Sequence, residues 1–136
     1  MECVFCRIVA NDIPSYKIYE NEDVLAFLDI APVNPGHALI IPKKHYINME
    51  DIEEDILYKL MHVVKKVGKA VKDGLSVDGY NIILNNGKVA GQMVNHFHFH
   101  IIPRTEGDGH SLWAQGKYEG KEASDTIAKI RAVLKN

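Results

Sequence analysis

From His96 to Ile101 polar and apolar residues alternate one by one, His-Phe-His-Phe-His-Ile. An extended strand puts residues i, i+2 and i+4 on the same side. His96, His98 and His100 therefore share one face, and Phe97, Phe99 and Ile101 share the other, turned to a core. Pro103, which has no backbone N–H, is expected to end this ladder. Tyr16 to Glu20 and Val24 to Leu28 read as two strands joined at Asn21-Glu22-Asp23, and His37 to Pro42 and Tyr80 to Leu84 as two more. Between them the period lengthens. Ile52, Ile56, Leu57, Leu60, Val63, Val64, Val67 and Val71 recur every three or four residues, which predicts one long helix over Asp51 to about Lys72. Asp51 and Glu54 suit its start and Gly74 the residue after its end. Val4 to Val9 predicts a short helical turn. Ser124 to Leu134 predicts a final helix, with Ser124 as cap and Ile127, Ile130 and Leu134 on one face. Residues 105–110 read as a flexible loop. The order predicts an α+β fold: an antiparallel sheet of about five strands with one long helix and a C-terminal helix.

Composition narrows the class. The 136 residues suit a single domain, with no linker or repeat to divide them. The formal net charge of −2 argues against a nucleic-acid surface, which shows as a basic excess. No apolar run reaches the ~20 residues of a membrane span. The first residues lack the layout of a secretion signal, so a cytoplasmic protein is expected. Cys3 and Cys6 are the only cysteines, too few and too close for a disulfide framework.

Three imidazoles on one strand face are a poor choice for a merely polar surface, where Thr, Lys or Glu would serve as well. Imidazole is the side chain that can be nucleophile, acid–base or metal ligand near neutral pH. The Cys3-Val4-Phe5-Cys6 pair suits two corners of a tetrahedral zinc site, or two reduced thiols, or a redox dithiol.

His96-Phe97-His98-Phe99-His100-Ile101-Ile102, with Ala90-Gly91-Gln92 before it and Pro103-Arg104 after it, resembles the signature of the histidine-triad (HIT) family of nucleotide hydrolases and transferases. Phe27-Leu28-Asp29-Ile30 and the run from Gly36 to His45 are similar to that family too. The resemblance spans Cys3 to about Arg104. It implies attack by the middle histidine, His98, on the α-phosphate of a purine nucleotide conjugate. A covalent nucleotidyl-histidine and release of the monophosphate follow. The His96 carbonyl is the candidate acceptor that fixes the His98 tautomer, and His100 can donate to a phosphoryl oxygen. Gly91, Gln92 and Met93 would face the phosphate through backbone N–H groups and the Gln92 amide. Met93 is a departure, because the family often carries Ser or Thr there. By resemblance Asp29 accepts from the ribose hydroxyls, Asn85 holds ribose or phosphate, and Phe5, Ile8, Phe27 and Ile30 form the purine slot. Taken alone, Asp29 reads equally as a ribose-binding carboxylate or a turn aspartate, Asn85 is a turn residue and the apolar four are core.

The resemblance also implies His45 and His96 as partners of Cys3 and Cys6 around a structural zinc, since four protein ligands leave no open position for water. A homodimer is implied as well. The expected substrate is an adenosine phosphoramidate. Dinucleoside polyphosphate hydrolysis and a zinc-stabilised nucleotide-binding module with negligible turnover are the alternatives.

Overall fold

A computed structural model describes residues 2–135. Five strands form one sheet in the order β1-β2-β3-β5-β4, with every neighbouring pair antiparallel. They are β1 (Lys17–Glu20), β2 (Val24–Leu28), β3 (Ala38–Pro42), β4 (Gly79–Leu84) and β5 (Phe99–Arg104). The helices are α1 (Val4–Val9), α2 (Glu54–Leu75) and α3 (Glu122–Val133). The expected α+β architecture is the observed one.

Both faces of the central strands are buried, and the period of two sorts their side chains into two layers. Val24, Ala26, Ala38, Ile40, Phe97, Phe99 and Ile101 meet α2 through Leu60, Val63, Val64 and Val67. Leu25, Phe27, Leu39 and Ile41 meet α1 through Phe5 and Ile8 on the opposite face. Helix α2 turns its Lys65, Lys66, Lys69 and Lys72 to solvent, as its pattern predicts. Its ends differ from expectation. Asp51 lies in the preceding turn and accepts from the Ile47 amide at 2.6 Å. Gly74 stays helical, and Ser76 takes the left-handed cap conformation at φ 54°.

The triad segment departs from a simple strand. His96 to His98 precede the ladder, and the Phe97 amide instead donates to the Tyr46 carbonyl at 2.7 Å. The alternation holds there all the same: Phe97 joins Phe99 and Ile101 in the α2 layer, while the His96 and His98 rings meet Phe5. Pro103 does not end the ladder, since it pairs with Tyr80. Its carbonyl accepts from Asn34 Nδ2 at 2.8 Å, on the side where β3 has already stopped. The missing N–H faces that vacated side, which is where a sheet tolerates proline.

Gly36 sits at φ 95° just before β3, and a Cβ there would run into the Leu75 side chain. Glycine thus permits the tight turn that delivers His37 to the sheet. Residues 105–110 are tied down: Arg104 Nε and Nη2 donate to Asp108 at 2.7 and 3.0 Å, and Asn34 Nδ2 adds 3.0 Å. In α3, Ser124 Oγ donates back to the Lys121 carbonyl rather than capping, and no residue of the helix is buried. No described helix is long and apolar enough to cross a membrane.

Candidate active site and metal centre

Helix α1 is six residues long, and the Cys3 sulfur accepts from the Cys6 amide at its start. One turn of helix therefore sets both thiols on one side and Phe5 and Ile8 on the other. Cys3 Sγ lies 3.4 Å from His96 Nδ1, Cys6 Sγ 3.6 Å from the same atom, and Cys6 Sγ 3.4 Å from His45 Nδ1. Tetrahedral zinc, with S and N bonds near 2.3 and 2.0–2.1 Å, would separate sulfur from nitrogen by about 3.6 Å. All four donor atoms lie within 4.8 Å of one another. His96 Nε2 is 2.8 Å from the Pro42 carbonyl. A carbonyl only accepts, so Nε2 carries the proton and Nδ1 turns its lone pair to the sulfurs. That is the outer support a ligating histidine needs. Burial draws His96 down to about 4, with His45 and His98 adding to it. Burial and the Cys3 thiol push Cys6 up to about 11. Neutral imidazole is thus ready to ligate, whereas the Cys6 thiol needs a cation to draw off its proton.

On the same face an apolar slot of about 370 Å³ opens between α1, β2 and the triad segment. Phe5, Ile8, Phe27, Ile30, Asp29, Gly91, Met93, His98 and His100 all line it. The Phe5 ring meets Phe27 edge-on at 5.6 Å and His98 at 5.1 Å. Ile30 and Met93 stand at the mouth, 87% and 80% exposed. Gln92 lies outside the slot. Its side chain is buried and engaged, donating to the Ile47 carbonyl at 2.6 Å and accepting from the Gly87 amide at 2.9 Å. Asn85 also lies outside, with Nδ2 directed at the Gly91 carbonyl at 3.4 Å.

The histidines in the slot have determinate tautomers. His98 Nδ1 donates to the His96 carbonyl at 2.7 Å, which leaves the Nε2 lone pair free. Burial lowers His98 below the ordinary imidazole range, opposed by that hydrogen bond and by Asp29. His37 was given no role by its position in the sequence, yet it is 3% exposed. Its Nδ1 accepts from the Val33 amide at 3.0 Å, so its Nε2–H donates to His100 Nδ1 at 2.8 Å. His100 must then carry its own proton on Nε2. Adjacent rings thus offer opposite faces, a bare lone pair on His98 and an N–H on His100. Burial, with His98 and His37, lowers His100 to about 4, so both rings are neutral at pH 7. Asp29 Oδ2 stands 3.7 Å from His37 Nε2, and its Oδ1 accepts from the Ala31 amide at 2.9 Å. The only sequence signal for His37 was its place in the Gly36–His45 run.

A model of the HIT domain matches residues 10–107. The chain belongs to the histidine-triad family. It is 55% identical over 129 residues to an uncharacterized HIT-like protein of Methanocaldococcus jannaschii, covering 95% of this chain and 98% of that one. It is 47% identical over 104 residues to an adenosine 5'-monophosphoramidase of Schizosaccharomyces pombe, covering 76% and 75%. The crystal structure of a zinc-bound histidine triad family protein of Mycobacterium smegmatis superposes with a TM-score of 0.78 at 36% identity, covering 98% and 99%. With its Cys3-x-x-Cys6 pair and two facing histidines, this HIT protein falls in the Cys-x-x-Cys branch of the family.

Replacing His37 by Ala removes the partner of His100 Nδ1 and of the Val33 amide, both partly buried. The expected cost is about 1–3 kcal/mol, read from urea denaturation, without loss of the sheet.

Proposed function

We propose that this HIT protein hydrolyses adenosine phosphoramidates and related purine nucleotide conjugates at the α-phosphate, releasing the monophosphate. The observation that carries this reading is the bare His98 Nε2 beside the His100 N–H at one end of an apolar slot. The phosphoramidase name of the fission-yeast relative supports it. The purine lies between Phe5, Ile8, Phe27 and Ile30, and Asp29 accepts from the ribose hydroxyls.

In the first step the His98 Nε2 lone pair attacks phosphorus and the P–N bond to the leaving amine breaks. The amine takes a proton from water, since Met93 has none to give. His98 keeps its Nδ1 proton, and the positive charge on its ring is shared with the His96 carbonyl. The His100 Nε2–H donates to a phosphoryl oxygen as negative charge builds there. In the second step water attacks phosphorus, the P–Nε2 bond breaks, and a proton passes to solvent. The open mouth beside Met93 also admits a longer leaving group, which makes dinucleoside polyphosphates the alternative substrates. The Gln92 and Asn85 side chains, both engaged outside the slot, leave phosphate contacts to the backbone around Gly91 and Met93.

Zinc is structural in this reading. Held by Cys3, Cys6, His45 and His96, it would clip α1, which carries Phe5 and Ile8, to the triad segment. The ligands would be the protein's own, with no position left for substrate. A homodimer completes the assembly. Helix α3 has 12 residues and no buried side chain, close to the limit of what holds alone in water. Leu112, Trp113 (88% exposed), Ile130 and Leu134 offer apolar surface for a second copy.

Denatured protein quenched within seconds of mixing with an adenosine phosphoramidate should gain the mass of one adenylyl group. His98→Ala should gain none and lose about 10³-fold or more in kcat. AMP release at the wild-type rate by His98→Ala would rule the mechanism out.

Metal analysis should find one zinc per chain. Cys6→Ser should lose it and lower Tm by about 5 °C or more. Equal metal content and Tm in both forms would exclude a structural zinc.

Sedimentation of the full chain should give twice its monomer mass. A monomer at micromolar concentration would end the dimer reading.

A further inference from the structure

Among the described residues, two buried side-chain polar atoms lack any hydrogen-bond partner: Ser15 Oγ and Tyr46 Oη. Tyr46 belongs to the core layer under α2, away from the slot. Ser15 lines the slot itself. A hydroxyl left unpaired away from water costs free energy unless something completes it.

The topology shows what that could be. Lys17 pairs with Phe27, and the Leu28 amide donates to the Tyr16 carbonyl at 2.9 Å. Continued one step further, this register sets Ser15 opposite Asp29. The sheet order is β1-β2-β3-β5-β4, so the reacting histidines lead into or lie on β5, Asp29 follows β2, and Ser15 precedes β1. Moving away from the histidines, Asp29 therefore comes before Ser15. Three strand spacings separate the β5 and β1 positions, about 14 Å. That matches a nucleotide from its α-phosphate to the far edge of its base, with one hydrogen bond added. The other side chains at that end, Ile8, Ile13 and Pro14, are apolar.

We propose that the Ser15 hydroxyl is the polar contact of this HIT protein to the edge of the purine base. The proposal rests on the nucleotide reading above. Oγ is closed to solvent in the free protein, so the proposed contact includes a turn about χ1 between staggered wells that carries Oγ to the base. A hydroxyl both donates and accepts, so it suits the amino group of adenine and the carbonyl of guanine alike. The contact thereby favours a purine over an empty or smaller base site without selecting between the two purines. Ser15 touches no reacting atom and affects binding alone.

Calorimetric titration of the wild type and Ser15→Ala with AMP, GMP and ribose 5-phosphate tests this. Ser15→Ala should weaken AMP and GMP by similar factors, about 3- to 10-fold, the worth of one net hydrogen bond. Ribose 5-phosphate, which has no base, should bind both proteins equally. Because the free protein loses only an unpaired hydroxyl, Tm should not fall, and Ser15→Thr should retain most of the affinity. Unchanged AMP affinity would overturn the proposal. So would a parallel loss for ribose 5-phosphate, which would move the contact to the sugar. A loss of affinity accompanied by a lower Tm would make Ser15 a structural residue and overturn it too. Failure of the wild type to bind AMP would instead defeat the nucleotide reading, and this proposal with it.

Discussion

Burial on both faces of the central strands is the constraint on which the rest of this HIT protein depends. With a period of two, each strand must give alternate residues to different layers. Phe97, Phe99 and Ile101 are held under α2, so His96, His98 and His100 have no choice but to emerge together on the other side. A shift by one residue would exchange the two sets and bury three imidazoles beneath a hydrophobic helix. The hydrophobic layer thus enforces the alignment of the polar one. It does so even before the ladder begins, where Phe97 is held by the Tyr46 carbonyl rather than by a neighbouring strand.

The three histidines share a face but not an environment. Each ring has one nitrogen committed to a partner of defined polarity, and that commitment decides what the other nitrogen can do. His96 donates its Nε2–H to the Pro42 carbonyl and turns a lone pair to two thiols. His98 donates its Nδ1–H to the His96 carbonyl and turns a lone pair to the slot. His100 accepts a hydrogen bond from His37 and turns an N–H to the slot. Burial keeps these rings neutral, so a single repeated side chain offers two differently placed lone pairs and one N–H. The cluster of Cys3, Cys6, His45 and His96 and the slot share α1 as a wall, since Cys3 and Cys6 face the two histidines and Phe5 and Ile8 line the slot.

Periodicity carried the strand order of the chain, the long helix and its lysine face, and the common side of the triad. These are local properties, written in the spacing of neighbouring residues. The motifs carried the family. Helix ends were less legible, because capping depends on which polar group reaches the backbone first. Asp51 bonds the turn before α2, and Ser124 bonds backward to Lys121. Pro103 was misjudged from sequence because its tolerance depends on where β3 stops, a fact about a strand more than sixty residues away.

The sequence by itself determined the sheet's two faces, the placement of three histidines on one of them and the membership of the histidine-triad family, because each follows from residues close together along the chain. Only the tertiary structure decided which proton sits on which nitrogen, brought His37 to His100, engaged the Gln92 side chain in its own loop and left Ser15 unpaired in the slot. These depend on groups far apart in sequence meeting at hydrogen-bond distance, and such a meeting exists only once the strands have paired and the helices have closed over them.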